Sequence, residues 1–190
     1  MESVGFKEWA LVCEAIGRGE QSLIVRKGGI HEGRAGFAFT HAEFFLFPTF
    51  FHAQVERIRG AERSVPPQRP GEIEIRFFAK LEFSAVIASW ETAEALEPFH
   101  IWTPEIVRER FEYDDAPGIH VAFVRAFCLS QPWIIPDLPA YGGCRSWVKL
   151  PELPPEISTS PVLSEDEHQQ RSANLRAILS AAPVLGRTGC

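Results

Sequence analysis

No apolar run in this chain approaches the roughly 20 residues that a membrane-spanning helix needs. The opening residues, Met1-Glu2-Ser3-Val4-Gly5, carry neither the basic stretch nor the apolar core of a secretory signal. The four cysteines, Cys13, Cys128, Cys144 and Cys190, are scattered and form no Cys-x-x-Cys pair of the zinc-binding kind. The six histidines, at 31, 41, 52, 100, 120 and 168, include no pair at the four-residue helical spacing that metals exploit. Neither the phosphate-loop pattern nor the dinucleotide fingerprint is present, and there is no internal repeat. These absences predict a cytoplasmic chain without a membrane segment, a metal or another cofactor.

Basic excess is also missing. The 190 residues carry a formal net charge of −6, which speaks mildly against nonspecific nucleic-acid binding. The distribution is uneven, however. Residues 1–80 hold eleven Lys/Arg against ten Asp/Glu, whereas residues 81–190 hold eight against fifteen. A basic cleft on the N-terminal half is compatible with that split. Hydrophobic residues make up 45% and charged residues 23%, the proportions of a globular domain. Fifteen Phe and five Trp place much of the apolar volume in rings, which fill cores or serve as stacking platforms.

Phe6, Trp9, Ala10, Cys13 and Ile16 recur at three- and four-residue steps, which predicts a helix ending at Gly17. A strand over 8–16 turning at Gly17-Arg18-Gly19-Glu20 is the alternative. Ser22 to Val25 reads as a buried strand and Glu43 to Phe47 as another, stopped by Pro48. Thr49 is placed to cap a helix through His52, Val55 and Ile58. Glu72 to Phe77 alternates polar and apolar, and the apolar run continues to Trp90 as a bent strand or two paired ones. Glu91 to Leu96 reads as a short helix. Thr103, Pro104 and Glu105 start a further helix. Ile119 to Leu129 and Cys144 to Leu150 are the remaining strands. Pro151 to Pro161 reads as a linker, and Ser164 with Glu167 as a capping box for a polar helix through about Leu179. The expected organisation is one α+β domain over 1–150, a mainly antiparallel sheet or small β-barrel with flanking helices. A proline-rich linker and C-terminal helix occupy 151–190.

Four strings carry chemistry. Arg26-Lys27-Gly28-Gly29-Ile30 sets two cations beside two glycines at a strand end, where backbone N–H groups approach an anion closely. Phe44 to His52 packs five Phe around Pro48, Thr49 and Leu46, with His52 as a candidate base, donor or stacking partner. Pro98 to Pro104 places His100 and Trp102 just before a helix N-terminus. Tyr141 to Trp147 combines two glycines with Cys144, Arg145 and Trp147. A nucleophilic Cys144 would need a histidine, which that segment lacks, so Arg145 is the stronger candidate there, as an anion binder. Glu72 and Glu74 alternate with apolar residues and read as a solvated strand face. The candidate ligand-binding set is therefore Arg26, Lys27, Gly28, Gly29, His52, His100, Trp102, Arg145 and Trp147. No catalytic residue is singled out.

Phe6-Lys7-Glu8-Trp9-Ala10, Arg26-Lys27-Gly28-Gly29-Ile30, Phe45-Leu46-Phe47-Pro48-Thr49 and Gly143-Cys144-Arg145-Ser146-Trp147 occur in order. Over roughly residues 5–150 they resemble the bacterial domain-of-unknown-function family 1802. That resemblance implies no established chemistry. Through association with restriction-endonuclease domains it implies a role near restriction–modification or defence, with a nuclease as partner. More loosely, a helix, a Gly-rich turn and a strand ending in Arg-Lys is similar to PUA-like domains of the ASCH and EVE groups, small barrels that bind RNA or modified bases. Gly19-Glu20-Gln21-Ser22 departs from their Gly-x-Lys-Thr-x-Glu signature. A faint likeness of the opening to Nudix hydrolases lacks the Glu-rich helix that such chemistry needs. The leading expectation is a noncatalytic nucleic-acid or nucleotide-binding module. The alternatives are an enzyme on a small phosphorylated metabolite, with His52 or His100 as acid–base group, and an interaction subunit of a nuclease system.

Overall fold

The computed structural model describes residues 3–27, 38–60, 63–113 and 117–181. The chain opens with a strand, β1 (Val4–Trp9), that runs directly into helix α1 (Ala10–Gly17). The single helix expected from Phe6 to Ile16 is therefore half strand. Phe6 is fully buried because β1 lies inside the sheet, paired with Leu46 on one side and Trp147 on the other. Ala10, Cys13 and Ile16 do form the inner face of α1. Gly17 is demanded by space, since a Cβ there would lie 2.1 Å from ring carbons of Phe77.

The sheet runs in the order β2 (Leu23–Arg26), β5 (Ile119–Pro136), β4 (Glu72–Ile87), β3 (Glu43–Thr49), β1, β6 (Trp147–Lys149), with β7 (Thr159–Pro161) paired to β5. Among the described residues only β1 and β3 are parallel, and every other strand pairing is antiparallel. The molecule is thus the expected α+β fold with a mainly antiparallel sheet, curled into a half-barrel. The apolar run after Glu72 is one bent strand. The β4–β5 register shifts between Ile75 and Phe77 and again between Leu81 and Phe83, and such bulges bend and twist a strand pair.

Bending lets the same two strands cover two cores. The larger contains Phe6, Leu11, Ile24, Phe44, Trp102 and Phe123, and the smaller contains Phe45, Phe47, Ile75, Trp133 and Tyr141. In β3, successive residues face opposite sides, so Phe44 and Leu46 enter the first core while Phe45 and Phe47 enter the second. The aromatic run is a central strand buried on both faces. Pro48 does not end β3, contrary to expectation. It lies beyond the last β3–β4 pair, Phe45 with Phe78, where β3 keeps a neighbour on one side only, a setting in which a strand tolerates proline. Thr49 likewise caps nothing: its hydroxyl donates to the Glu8 carbonyl at 3.0 Å, and the segment His52–Arg57 is a 3-10 turn.

Between β4 and β5 lie α2 (Trp90–Ala95), capped by the Ser89 hydroxyl, and α3 (Pro104–Phe111), where Thr103 makes no side-chain cap bond. Strand β6 is shorter than expected, three residues instead of Cys144 to Leu150. Residues 151–181 supply β7 and helix α4 (Glu165–Ala181). The Ser164–Glu167 capping box forms, with Glu167 N–H donating to Ser164 Oγ at 3.3 Å and Ser164 N–H to Glu167 Oε2 at 3.1 Å. Leu175 of α4 is fully buried in the larger core, and His168 stacks on Phe123 at 5.0 Å. No helix among the described residues is long and apolar enough to cross a membrane.

Candidate functional site

The half-barrel leaves its two end strands, β2 and β6, unpaired with each other, and one side chain links them. Arg26, the last residue of β2, donates from Nη2 to Ser146 Oγ, just before β6, at 3.0 Å. Its guanidinium also lies 5.1 Å from the centre of the Phe6 ring. Phe6 in turn meets Trp147 edge-on at 4.8 Å, and Trp147 meets His41 at 4.7 Å and Phe44 at 5.3 Å. Trp147 is half-buried, and its Nε1 is buried without a hydrogen-bond partner.

Two more cations join Arg26 around the 143–147 turn. Lys7 Nζ donates to the Gly143 carbonyl at 3.0 Å. Burial holds the Lys7 ammonium below its ordinary pKa; the charge of Arg145 and, more weakly, that of Arg26 add to this, while Cys144 and the Asp137 carboxylate oppose it. Arg145 is exposed. Lys7 also lines an open groove of about 460 Å3 together with Phe47, Phe50, Leu138, Tyr141 and Gly142.

Most described arginines sit in ion pairs: Arg18, Arg57, Arg59, Arg63, Arg69, Arg76, Arg108 and Arg125 each have a glutamate partner. Among the described residues Lys7, Arg26 and Arg145 have none, as is also the case for Arg110, beside this group, and for Arg171 and Arg176 of α4. Exposed ion pairs add little stability; what matters is that three cations without a carboxylate partner gather around the 143–147 turn.

A second group adjoins on the inner side of β1. Glu8 is 1% exposed; its Oε1 accepts the Trp9 N–H at 2.8 Å, and its Oε2 is buried without a partner. The Arg110 guanidinium of α3 lies 3.8 Å from the Trp102 ring centre and 5.4 Å from that of Trp9, and donates to the Val25 carbonyl at 2.6 Å. Burial lowers its pKa to about 10. The Glu8 carboxylate is the first opposing influence, and the charge of Arg26 pushes further down. Trp9 meets Trp102 edge-on at 4.4 Å and Phe51 at 4.5 Å.

Of the residues singled out from the sequence, Arg26, Arg145 and Trp147 come together. Lys27 is half-buried at the end of β2. Gly28, Gly29 and the His52 side chain lie outside the described residues. Trp102 is fully buried between Trp9 and Arg110, so no face is left for a stacked base. His100 is 4% exposed on the α2–α3 side, and burial, assisted by Arg59 and Arg110, drops its pKa to about 3. It is neutral and sealed from solvent, a poor acid–base group for a substrate. Lys7, Glu8 and Arg110 were missed. Lys7 and Glu8 are ordinary charged residues in the sequence, and Arg110 sits on a helix whose polar spacing reads as surface. A glutamate and a lysine flanked by Phe6 and Trp9 was the available signal. Among the described residues, no cluster of His, Cys, Asp and Glu is suited to a metal ion.

Comparison with curated proteins finds no match. Among solved structures, the ASCH protein from Zymomonas mobilis is similar to this chain at a TM-score of 0.48 and 14% identity, over 91% of this chain and 94% of that one. A point mutant of the same protein gives 0.45 and 15%, over 90% and 94%. The model of a family described as a domain of unknown function, DUF1802, matches residues 5–174, well past the boundary near 150 expected from the motifs and into α4. The chain belongs to that family.

Proposed function

We propose that this chain binds single-stranded nucleic acid, with the strand's phosphates held by Lys7, Arg26 and Arg145. The observation that carries this reading is the gathering of three cations without carboxylate partners at the seam between β2 and β6. A polyanion supplies the charge that the protein withholds, and a guanidinium suits phosphate geometry particularly well. Trp147 and His41 stand near Arg26 through the Phe6 ring, and rings of this kind stack with the bases of an unpaired strand. The net charge of −6 is no obstacle, because the local field at a cleft, not the total, steers an anionic ligand.

Within the enzyme reading His100 is not the acid–base group, because its sealed, neutral imidazole offers no proton transfer to a bound metabolite. A role as a nuclease partner or in defence rests on family association alone.

The test is anisotropy of labelled single-stranded DNA and RNA titrated with the protein at several salt concentrations. Replacing Arg26 and Arg145 together with Ala is expected to weaken binding at least ~10-fold and to flatten the logarithmic salt slope by about 1.4, at ~0.7 per lost phosphate contact. Circular dichroism checks that the variant is folded. Absence of binding at about 50 mM salt, where phosphate contacts act strongly, or an unchanged salt slope in the double variant, refutes the proposal.

A further inference from the structure

We infer that the groove beside Lys7 receives one base of the bound strand and favours a base with an exocyclic amino group, cytosine, adenine or guanine, over uracil and thymine. The inference rests on the strand-binding reading above and adds where a base sits and of which class.

The groove and the cations share residues. Lys7 lines the groove and donates to the Gly143 carbonyl, while Gly142, also in the lining, is followed by Gly143, Cys144 and Arg145. A phosphate held by Lys7 and Arg145 is therefore at the rim of the groove, and the adjoining base reaches it along an open path. Its volume of about 460 Å3 is that of a small-molecule site, which runs from roughly 300 to 1,000 Å3. The wall is preformed. Asp137 N–H donates to the Gly71 carbonyl at 2.9 Å, and the 3-10 turn Pro139–Tyr141 closes with Tyr141 N–H on the Leu138 carbonyl at 2.9 Å.

The lining suits a base and not a second phosphate. Phe47 and Tyr141, buried edge-on at 5.4 Å, back the groove, and half-buried Phe50 and exposed Leu138 flank it with apolar surface. Rings and apolar side chains receive the flat face of a base. Asp137 also lines the groove, and its carboxylate acts on the Lys7 ammonium. A carboxylate there repels phosphate, which leaves the strand's backbone on the Arg26 and Arg145 side. It accepts a hydrogen bond from an amino group, the pairing that acidic side chains make with cytosine N4. Uracil and thymine have no amino group, and their ring N–H lies between two carbonyl oxygens that the carboxylate repels.

In the first arm of the test the protein is unaltered: anisotropy compares short thymine strands with the same strands carrying one central cytosine. The cytosine strand is expected to bind at least ~5-fold more tightly, and Asp137→Ala to close that gap. In the second arm Phe50→Ala, checked for folding by circular dichroism, is expected to weaken both strands at least ~5-fold with an unchanged salt slope, because a ring contact is lost and no phosphate contact. Equal binding of the two strands, or full affinity in Phe50→Ala, with binding still dependent on Arg26 and Arg145, overturns this inference and leaves the strand-binding reading intact. Failure of every strand to bind overturns both.

Discussion

His100 and Arg110 are both buried titratable groups, and they answer burial differently. Arg110 keeps its charge, because a pKa near 10 still leaves it protonated at neutral pH. His100 gives up its charge. Its pKa falls from 6.5 to about 3, so the folded state resists protonation that the unfolded chain accepts. The sign follows directly: the unfolded state binds the extra proton between about pH 6.5 and 3, and stability drops as pH falls through that window. The steepest contribution is about 1.4 kcal/mol per pH unit. Urea midpoints measured against pH should therefore fall more steeply for the native protein than for His100→Phe, and parallel curves would refute the assignment. Trp102 gives a second measurement at this scale. Its Nε1 has no protein acceptor, so Trp102→Phe breaks no hydrogen bond and should cost under about 1.5 kcal/mol. Trp102→Ala should cost about 3–5 kcal/mol, since it empties a fully buried site. A Phe variant as damaged as the Ala variant would show that Nε1 is bonded.

Among the elements, α1 depends on one glycine and α4 on one capping box. Gly17 ends α1 where the Phe77 ring of β4 lies against the backbone. Gly17→Ala puts a methyl at 2.1 Å from that ring and should cost about 1–3 kcal/mol by overpacking, although alanine is the better helix former. Thermal unfolding of the variant reads the sign directly, and a rise in midpoint would contradict the packing. At α4, Ser164 and Glu167 bond reciprocally. Ser164→Ala should cost about 1 kcal/mol, which a denaturant titration resolves. β3 shows the opposite economy. One strand of alternating rings serves two cores because each ring faces the side its position in the pleat dictates.

At the level of the whole molecule, the question is how far residues after 150 belong to the fold. β7 extends the sheet beside β5, and Leu175 lies in the same core as Phe6 and Phe123. Ending the chain at Leu150 removes all of this, and the expected outcome is loss of the single cooperative unfolding transition. Leu175→Ala in the full chain isolates the packing part and should cost about 2–5 kcal/mol, since Leu175 is fully buried. A truncated chain as stable as the full one would make the C-terminal segment an appendage. The seam is the other property of the whole: because β2 and β6 are the two ends of the sheet, the Arg26–Ser146 contact joins residues 120 positions apart.

Local pattern made much of this legible. Alternation announced β4, cap residues announced the starts of α3 and α4, and Arg26, Arg145 and Trp147 stood out as charged or aromatic groups beside glycines. Such features depend on neighbours a few residues away, which the sequence states directly. Phe6 was misassigned to a helix because three-residue spacing looks alike whether burial comes from a helix face or from the middle of a sheet. Pro48 was read as a strand end because the sequence does not say that β4 stops pairing at Phe45. The same limit hid Lys7, Glu8 and Arg110, which carry the site only because the curl of the sheet brings β1, the end of β2, α3 and the 143–147 turn together. Composition and periodicity by themselves determined an α+β chain rich in rings. The tertiary structure alone decided which cations go unpaired, because pairing and burial are properties of contacts between distant parts of the chain.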